Sequence, residues 1–188
     1  MPDGTQVSRN TSAALLTLPN VITFARLCAV PFAFWLVVEH HPAYAFFLFV
    51  AAGASDAVDG WLARRWGGNS IGAVLDPVAD KALLVTMYVT LAVVNEIPDW
   101  LAILVVFRDL MIVGGVIVLG VLGQPVVIQP LMISKLNTAL QLLLVAVTLL
   151  LAGFGLSLPI ATLVLTWAVG ATTLASGAAY VWVTAGRR

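Results

Sequence analysis

The chain has 188 residues, of which 61% are hydrophobic and 10% charged, and its formal net charge is zero. A soluble domain is roughly 45–50% apolar and about 25% charged, so the composition excludes an ordinary soluble protein and predicts a surface that faces lipid. The neutral charge balance also argues against nucleic acid as a partner.

Long apolar stretches separated by Pro- and Gly-containing turns predict six helices. A helix needs roughly 20 apolar residues to cross a bilayer core, and 188 residues accommodate about six such spans. The expected fold class is therefore an all-α integral membrane protein with six transmembrane helices. The predicted helices cover about 20–38, 43–65, 71–94, 99–121, 131–152 and 157–184.

The domain organisation predicted from these elements is simple. Residues 1–10 ("MPDGTQVSRN") are expected to form a disordered tail without a cleavable signal, and residues 11–188 a single six-span domain. The segment "TSAALLTLP" before the first span is either an amphipathic helix at the membrane interface or an extended cap.

The distribution of charge between the loops predicts the orientation in the membrane. With six spans, the acidic and histidine residues of the other loops lie opposite the Arg-rich side, where the positive-inside rule places the cytoplasm. Both termini and the "ARRWGGNS" turn are therefore expected on the cytoplasmic side of the membrane. The residues on the Arg-rich side are Arg9, Arg64, Arg65, Arg187 and Arg188.

Nine ionisable residues fall within or at the edges of the predicted spans. An ionisable side chain costs roughly 2.5–3.5 kcal/mol at the centre of a span, so each one indicates a functional role. They are Asp56, Asp59, Asp76, Asp80, Asp109, Arg26, Lys81, Arg108 and Lys135.

Four of these residues are aspartates that flank one short turn. Asp56 and Asp59 are three positions apart and Asp76 and Asp80 four apart, so each pair shares one face of its helix. Four converging carboxylates repel one another, and their oxygens suit Mg²⁺, Mn²⁺ or Ca²⁺. Two divalent ions would neutralise the cluster and leave positions open for phosphate oxygens.

Two alternatives explain intramembrane aspartates without an enzyme. They can form structural ion pairs with Arg64, Arg65 or Lys81, or they can serve as an ion site or proton relay in a cation transporter. A transport site is expected near the bilayer midplane, whereas these aspartates gather at one end of their helices. The small residues between them, Gly60 and Ala63, are also unexplained by simple pairing.

The stretch resembles the signature of the CDP-alcohol phosphotransferases, DxxDGxxAR followed by GxxxDxxxD. The chain reads "DAVDGWLAR" over 56–64 and "GAVLDPVAD" over 72–80, with seven residues between Arg64 and Gly72 where many members have eight or nine. The shorter spacer would rotate Gly72 and its helix slightly. All eight signature positions are present: Asp56, Asp59, Gly60, Ala63, Arg64, Gly72, Asp76 and Asp80.

The resemblance implies a chemistry and a set of roles. Members of this family have six transmembrane helices, usually form homodimers, and transfer a phosphatidyl or similar group from a CDP-linked donor to an alcohol, releasing CMP. By that likeness the four aspartates bind two Mg²⁺ or Mn²⁺ ions, and Asp80 also takes the proton of the acceptor hydroxyl. The CDP donor would be bound by Asp56, Gly60, Ala63, Arg64 and Gly72.

The remaining cationic and polar residues bear on the acceptor. The chain further resembles the cardiolipin synthases of this family in "TLPNVITFARL", "FRDLMI" and "ISKLNTALQLLLVAVTLL", which implies CDP-diacylglycerol as donor and phosphatidylglycerol as acceptor. The resemblance also implies a location in the bacterial cytoplasmic membrane, or in the mitochondrial inner membrane, with the active site on the cytoplasmic side. The alternatives are glycerol 3-phosphate, as in phosphatidylglycerophosphate synthase, or another alcohol such as inositol. Ser134, Lys135 and Asn137 are expected to form an inward-facing polar patch, and Arg108 either binds the acceptor or forms an ion pair with Asp109 of another helix or protomer. The candidate acceptor residues are Arg26, Arg108, Ser134, Lys135 and Asn137.

Overall fold

The computed structural model describes residues 18–66, 72–121 and 132–185 of the chain. These ranges hold six α-helices and no strand, so the all-helical prediction is confirmed, and the predicted bounds agree with the observed ones to within two residues. The predicted N-terminal tail and most of the "TSAALLTLP" segment lie outside the described residues, as does most of the spacer before Gly72. The helices are α1 (Leu18–Val38), α2 (Pro42–Trp66), α3 (Gly72–Val93), α4 (Asp99–Val121), α5 (Met132–Phe154) and α6 (Pro159–Ala185).

Three short turns, at 39–41, 94–98 and 155–158, join α1 to α2, α3 to α4 and α5 to α6. Each contains a residue of positive φ at its first or second position, namely His40 (59°), Asn95 (61°) and Gly155 (63°). The amide after each of these residues donates to a carbonyl five positions earlier, at 2.8–2.9 Å, which is the Schellman arrangement that ends helices. We call the end of the bundle that carries these turns the turn end, and the opposite end the site end.

The helices enclose one apolar core in which α3 is central. α1 packs against α2 and α3, α4 against α3 and α6, and α5 against α2, α3 and α6. Near the turn end α5 meets the start of α2 so closely that a Cβ on Gly153 would lie 2.6 Å from the Ala43 backbone. The largest fully buried apolar side chains are Met87, Tyr88, Leu91, Leu101, Val105, Leu144, Val145, Leu149 and Val169.

The outward faces of the helices carry large apolar side chains. Met132, Ile160 and Trp182 are 79%, 77% and 81% exposed, and a soluble protein rarely exposes so much contiguous apolar surface. Within the described ranges, two helices are long and apolar enough to cross a membrane, Met132–Phe154 and Pro159–Trp182. Shorter apolar segments occur at Thr23–Val38 and Pro42–Ser55. The outer surface therefore fits a lipid environment.

Candidate functional site

The two halves of the aspartate motif lie on α2 and α3. Asp56 and Asp59 belong to the last three turns of α2, and Asp76 and Asp80 to the first three turns of α3, so both halves are helical as predicted. Of these four aspartates the structure describes the side chain of Asp80 alone. The convergence of the four carboxylates therefore remains a prediction. The same holds for the donor-binding roles of Gly60, Ala63, Arg64 and Gly72, which lie on the same two helices.

Asp80 is held by a cation from the first helix. Arg26 Nη1 donates to Asp80 Oδ1 at 2.9 Å, and the Arg26 side chain is 1% exposed while that of Asp80 is 40% exposed. Because α1 packs directly on α3, the arginine approaches the carboxylate from the protein side. Asp80 is thus anchored on one side and accessible on the other, as a carboxylate that acts on a substrate must be.

A cavity of about 300 Å³ opens beside Asp80 between α2, α3 and α5. Asp80 and Lys81 contribute charged groups to its wall, and Thr138 a hydroxyl. The rest of its wall is apolar. The residues that line it are Phe49, Ala52, Gly53, Asp80, Lys81, Leu83, Leu84, Thr138 and Leu142.

Next to Asp80, Lys81 enters a second group of charges. Its Nζ donates to Asp109 Oδ2 at 2.7 Å, and Arg108 Nη1 donates to Asp109 Oδ1, also at 2.7 Å. Arg108 Nη2 donates to the hydroxyl oxygens of Ser134 and Ser176, each at 2.6 Å. We call these five residues the Asp109 network. It joins α3, α4, α5 and α6. It also gives ion-pair and hydrogen-bond partners to charged groups that would be costly to bury alone.

The Asp109 network corrects one expectation about Arg108. The ion pair with an aspartate is present, but its partner is the adjacent Asp109 of the same helix, not an Asp109 of another helix or protomer. Arg108 is 4% exposed in total. Sequence reasoning missed Ser176, because a single serine in an apolar helix carries no signal of its partner. It considered Lys81 as an ion-pair partner for an aspartate of the motif, whereas the structure pairs Lys81 with Asp109.

The expected polar patch on α5 divides between two faces. Asn137 is fully buried, and its Oδ1 accepts hydrogen bonds from the hydroxyls of Thr172 (2.9 Å) and Thr173 (2.8 Å) on α6. Ser134 is half-buried in the Asp109 network, whereas Lys135 is exposed. The prediction that all three face the interior is therefore wrong for Lys135. Ser134 and Asn137 are three positions apart and share a face, but the residue next to Ser134 points away from it.

Comparisons with known proteins give the family. The model of the CDP-alcohol phosphatidyltransferase family matches residues 16–177. A cardiolipin synthase (CMP-forming) / mitochondrial hydrolase fusion protein of Schizosaccharomyces pombe is 37% identical over 182 residues, covering 88% of this chain and 31% of that protein. The cardiolipin synthase (CMP-forming) of Homo sapiens is 32% identical over 181 residues, covering 87% of this chain and 60% of that protein.

A relative whose name states a different acceptor is similarly close. The chloroplastic CDP-diacylglycerol–glycerol-3-phosphate 3-phosphatidyltransferase 1 of Oryza sativa subsp. japonica is 36% identical over 185 residues, covering 88% of this chain and 56% of that protein. The chain spans between 31% and 60% of the length of these three relatives. It belongs to the CDP-alcohol phosphatidyltransferase family, which is membrane-embedded, and the two apolar helices of spanning length fit that setting.

Proposed function

We propose that the chain is a phosphatidyltransferase that moves the phosphatidyl group of CDP-diacylglycerol to a hydroxyl of phosphatidylglycerol, giving cardiolipin and CMP. The observation that carries this proposal is Asp80, a signature carboxylate that is anchored by Arg26 and 40% exposed. The family membership and the cardiolipin synthases among the relatives support the same reaction.

In the proposed step the acceptor hydroxyl oxygen attacks the phosphatidyl phosphorus of the donor. Asp80 takes the hydroxyl proton as the new P–O bond forms. The bond from that phosphorus to the bridging oxygen of the pyrophosphate breaks, and CMP leaves with the bonding electron pair. Arg26 holds the Asp80 carboxylate in place, and Arg64 on α2 is proposed to contact the donor phosphates, because a guanidinium can bind phosphate with two parallel hydrogen bonds.

The donor set of the motif fits a hard divalent cation. Four carboxylates on two helices supply the oxygen ligands that Mg²⁺ and Mn²⁺ prefer, and the Asp80 carboxylate retains an accessible face. We therefore propose that Asp56, Asp59, Asp76 and Asp80 hold two such ions. When bound, the ions would neutralise the pyrophosphate charge.

The acceptor site is proposed at the residues near the open face of Asp80. Arg108 and Ser134 are engaged in the Asp109 network and Asn137 in hydrogen bonds with α6, so direct contact with the acceptor is less favoured for them than for Lys135, which is exposed. Phosphatidylglycerol carries a phosphodiester with one negative charge, and one lysine suits it. Glycerol 3-phosphate, a phosphomonoester with more negative charge, is the second candidate because of the rice relative.

The membrane setting follows from the same proposal. We propose that residues 11–188 form one domain of six spans, that the chain acts as a homodimer, and that the motif faces the cytoplasm, or the mitochondrial matrix if the protein is mitochondrial. The six helices and their apolar outer faces support the spans, and the loop charges support the orientation. The homodimer rests on the family resemblance alone. A cation transporter is disfavoured by the family membership.

The experiment that tests the reaction uses purified full-length protein in liposomes with CDP-diacylglycerol and Mg²⁺ or Mn²⁺. Phosphatidylglycerol and glycerol 3-phosphate are offered separately, and CMP and the lipid product are measured. We expect CMP together with cardiolipin from phosphatidylglycerol. CMP only with glycerol 3-phosphate would overturn the acceptor and keep the class, and CMP with neither would count against both.

Chelation tests the metal part of the proposal. We expect EDTA to abolish CMP release and added Mg²⁺ or Mn²⁺ to restore it, because the pyrophosphate charge is otherwise not neutralised. The control is EDTA already saturated with Mg²⁺, which should leave the rate unchanged. Full activity after thorough chelation would contradict the two-metal proposal.

A further inference from the structure

The cavity beside Asp80 extends away from the motif into the apolar part of the bundle. On α3 its wall continues from Asp80 to Leu83 and Leu84, three and four residues nearer the turn end. On α2 it is formed by Phe49 to Gly53, which precede Asp56 and therefore also lie on the turn-end side of the motif. At 1.5 Å rise per residue, these residues lie about 4–10 Å deeper in the bundle than the aspartates of their own helices.

The wall of the cavity changes in character along this direction. At one end are the ionisable residues Asp80 and Lys81, and beyond them follow phenylalanine, leucine, alanine and glycine residues, together with Thr138. Gly53 leaves its part of the wall bare, since a Cβ added there would meet no atom within 4 Å. A volume of about 300 Å³ lies at the lower end of the range for small-molecule sites, roughly 300–1,000 Å³.

We propose that this cavity holds an acyl chain of the acceptor, so that the acceptor of the proposed reaction is itself a phospholipid. The inference rests on the proposed function, because it takes Asp80 as the group that receives the acceptor proton. An acceptor whose hydroxyl lies at Asp80 would have its acyl chain against Leu83, Leu84 and Phe49, which continue the wall of the cavity. A soluble acceptor such as glycerol 3-phosphate has no group that would replace water in this apolar space.

The test narrows the cavity by placing a larger side chain at Gly53, which lines it. Gly53→Leu places an isobutyl group where space is open, and Gly120→Leu on α4, an exposed position with the same open surroundings, is the matched control. With dioleoyl phosphatidylglycerol as acceptor, we expect Gly53→Leu to raise the apparent KM by about tenfold or more, because each excluded methylene loses its burial. With dihexanoyl phosphatidylglycerol, KM should change less than twofold, as it should for Gly120→Leu with either acceptor.

A second arm distinguishes acceptor chains from donor chains. The acyl chains of CDP-diacylglycerol are shortened while the acceptor is held at dioleoyl phosphatidylglycerol. If the defect of Gly53→Leu disappears when the donor chains are shortened and not when the acceptor chains are, the cavity belongs to the donor and the inference is overturned. An unchanged KM for both lipids would overturn it as well.

A binding measurement separates this inference from the proposed reaction. Phosphatidylglycerol with a photoreactive acyl chain is bound to the wild-type protein in liposomes without donor or metal, and the labelled peptides are mapped by mass spectrometry. We expect label on the segment that contains Phe49 and Gly53, and its loss in Gly53→Leu but not in Gly120→Leu. If wild-type protein releases no CMP, the proposed function fails. Absence of label from this segment overturns the acyl-chain site whatever the enzyme does.

Discussion

Asp80 and Asp109 are both ion-paired carboxylates, but their surroundings differ in the property that matters for chemistry. The side chain of Asp80 is 40% exposed and contacts Arg26, whereas that of Asp109 is 8% exposed and lies between the cations of Lys81 and Arg108. A carboxylate enclosed by two cations has no open face for a substrate proton. Asp80 is therefore accessible to a substrate, whereas Asp109 holds neighbouring helices together.

The two sites are adjacent because consecutive residues of one helix point in different directions. Asp80 and Lys81 are neighbours on α3, and a helix turns about 100° per residue. Asp80 therefore meets α1 through Arg26, while Lys81 meets α4 through Asp109. The Asp109 network fixes the helix that presents Asp80, so a change in the network acts on the reaction through position alone.

The largest effect is expected where the accessible carboxylate loses its charge. Asp80→Asn keeps the shape of the side chain but cannot accept the proton, so turnover should fall by about 10²- to 10⁴-fold. Metal-dependent binding of the CDP donor should remain partly intact, and CMP release and donor binding measure the two quantities. Complete loss of donor binding in this variant would show that Asp80 is chiefly a metal ligand.

The same substitution in the enclosed carboxylate should act on stability first. Asp109→Asn leaves Arg108 buried without its counter-charge, and breaking a buried ion pair from one side costs about 3–5 kcal/mol. We expect a lower Tm in detergent, followed by tryptophan fluorescence or differential scanning calorimetry. Turnover per folded molecule should fall far less than in Asp80→Asn. An unchanged Tm combined with abolished turnover would contradict the structural role of Asp109.

Arg26 lies on α1 and forms an ion pair with Asp80. Arg26→Gln removes the cation that holds Asp80, and misplacement of a reacting group costs about ten- to a hundredfold in kcat. Arg26→Lys keeps the charge but not the planar fork of the guanidinium, so it should rescue part of the loss. If Arg26 instead binds the acceptor, KM for phosphatidylglycerol will rise in both variants while kcat is retained.

The smallest effect is expected at the exposed lysine outside both groups. Lys135→Ala should raise KM for an anionic acceptor by about two- to fivefold, since exposed charge pairs contribute roughly 1 kcal/mol or less. Lys135→Arg should keep the wild-type KM, and higher salt should reduce the difference between wild type and Lys135→Ala. Identical KM values for Lys135→Ala and wild type at low salt would show that Lys135 does not contact the acceptor and lies only at the interface with lipid.

The sequence predicted the helices well and the network poorly, for separate physical reasons. Spans are set by runs of apolar residues and by breakers such as Pro42 and the turn before Pro159, which are local features. The link from Lys81 to Asp109 joins residues 28 positions apart, and the link from Arg108 to Ser176 joins residues 68 apart. Such links depend on how helices rotate and pack, and helical spacing alone does not reveal that.

The aspartate motif was predicted in part. Its spacing on α2 and α3 follows from local sequence, and the helices confirm it. The partner of Asp80 was not predicted, because Arg26 was assigned to the acceptor. The signal was present in the sequence, since an arginine within an apolar span requires a nearby counter-charge, but several carboxylates could have supplied it. The packing of α1 against α3 brings Arg26 to Asp80.

The most direct test of this account measures Asp80→Asn and Asp109→Asn side by side in one lipid, with CMP release per folded molecule and Tm recorded for each. The account predicts that Asp80→Asn loses CMP release per folded molecule, while Asp109→Asn has a lower Tm and keeps most of its CMP release per folded molecule. The reverse pattern, with the enclosed carboxylate essential for turnover and the accessible one needed only for folding, would contradict it.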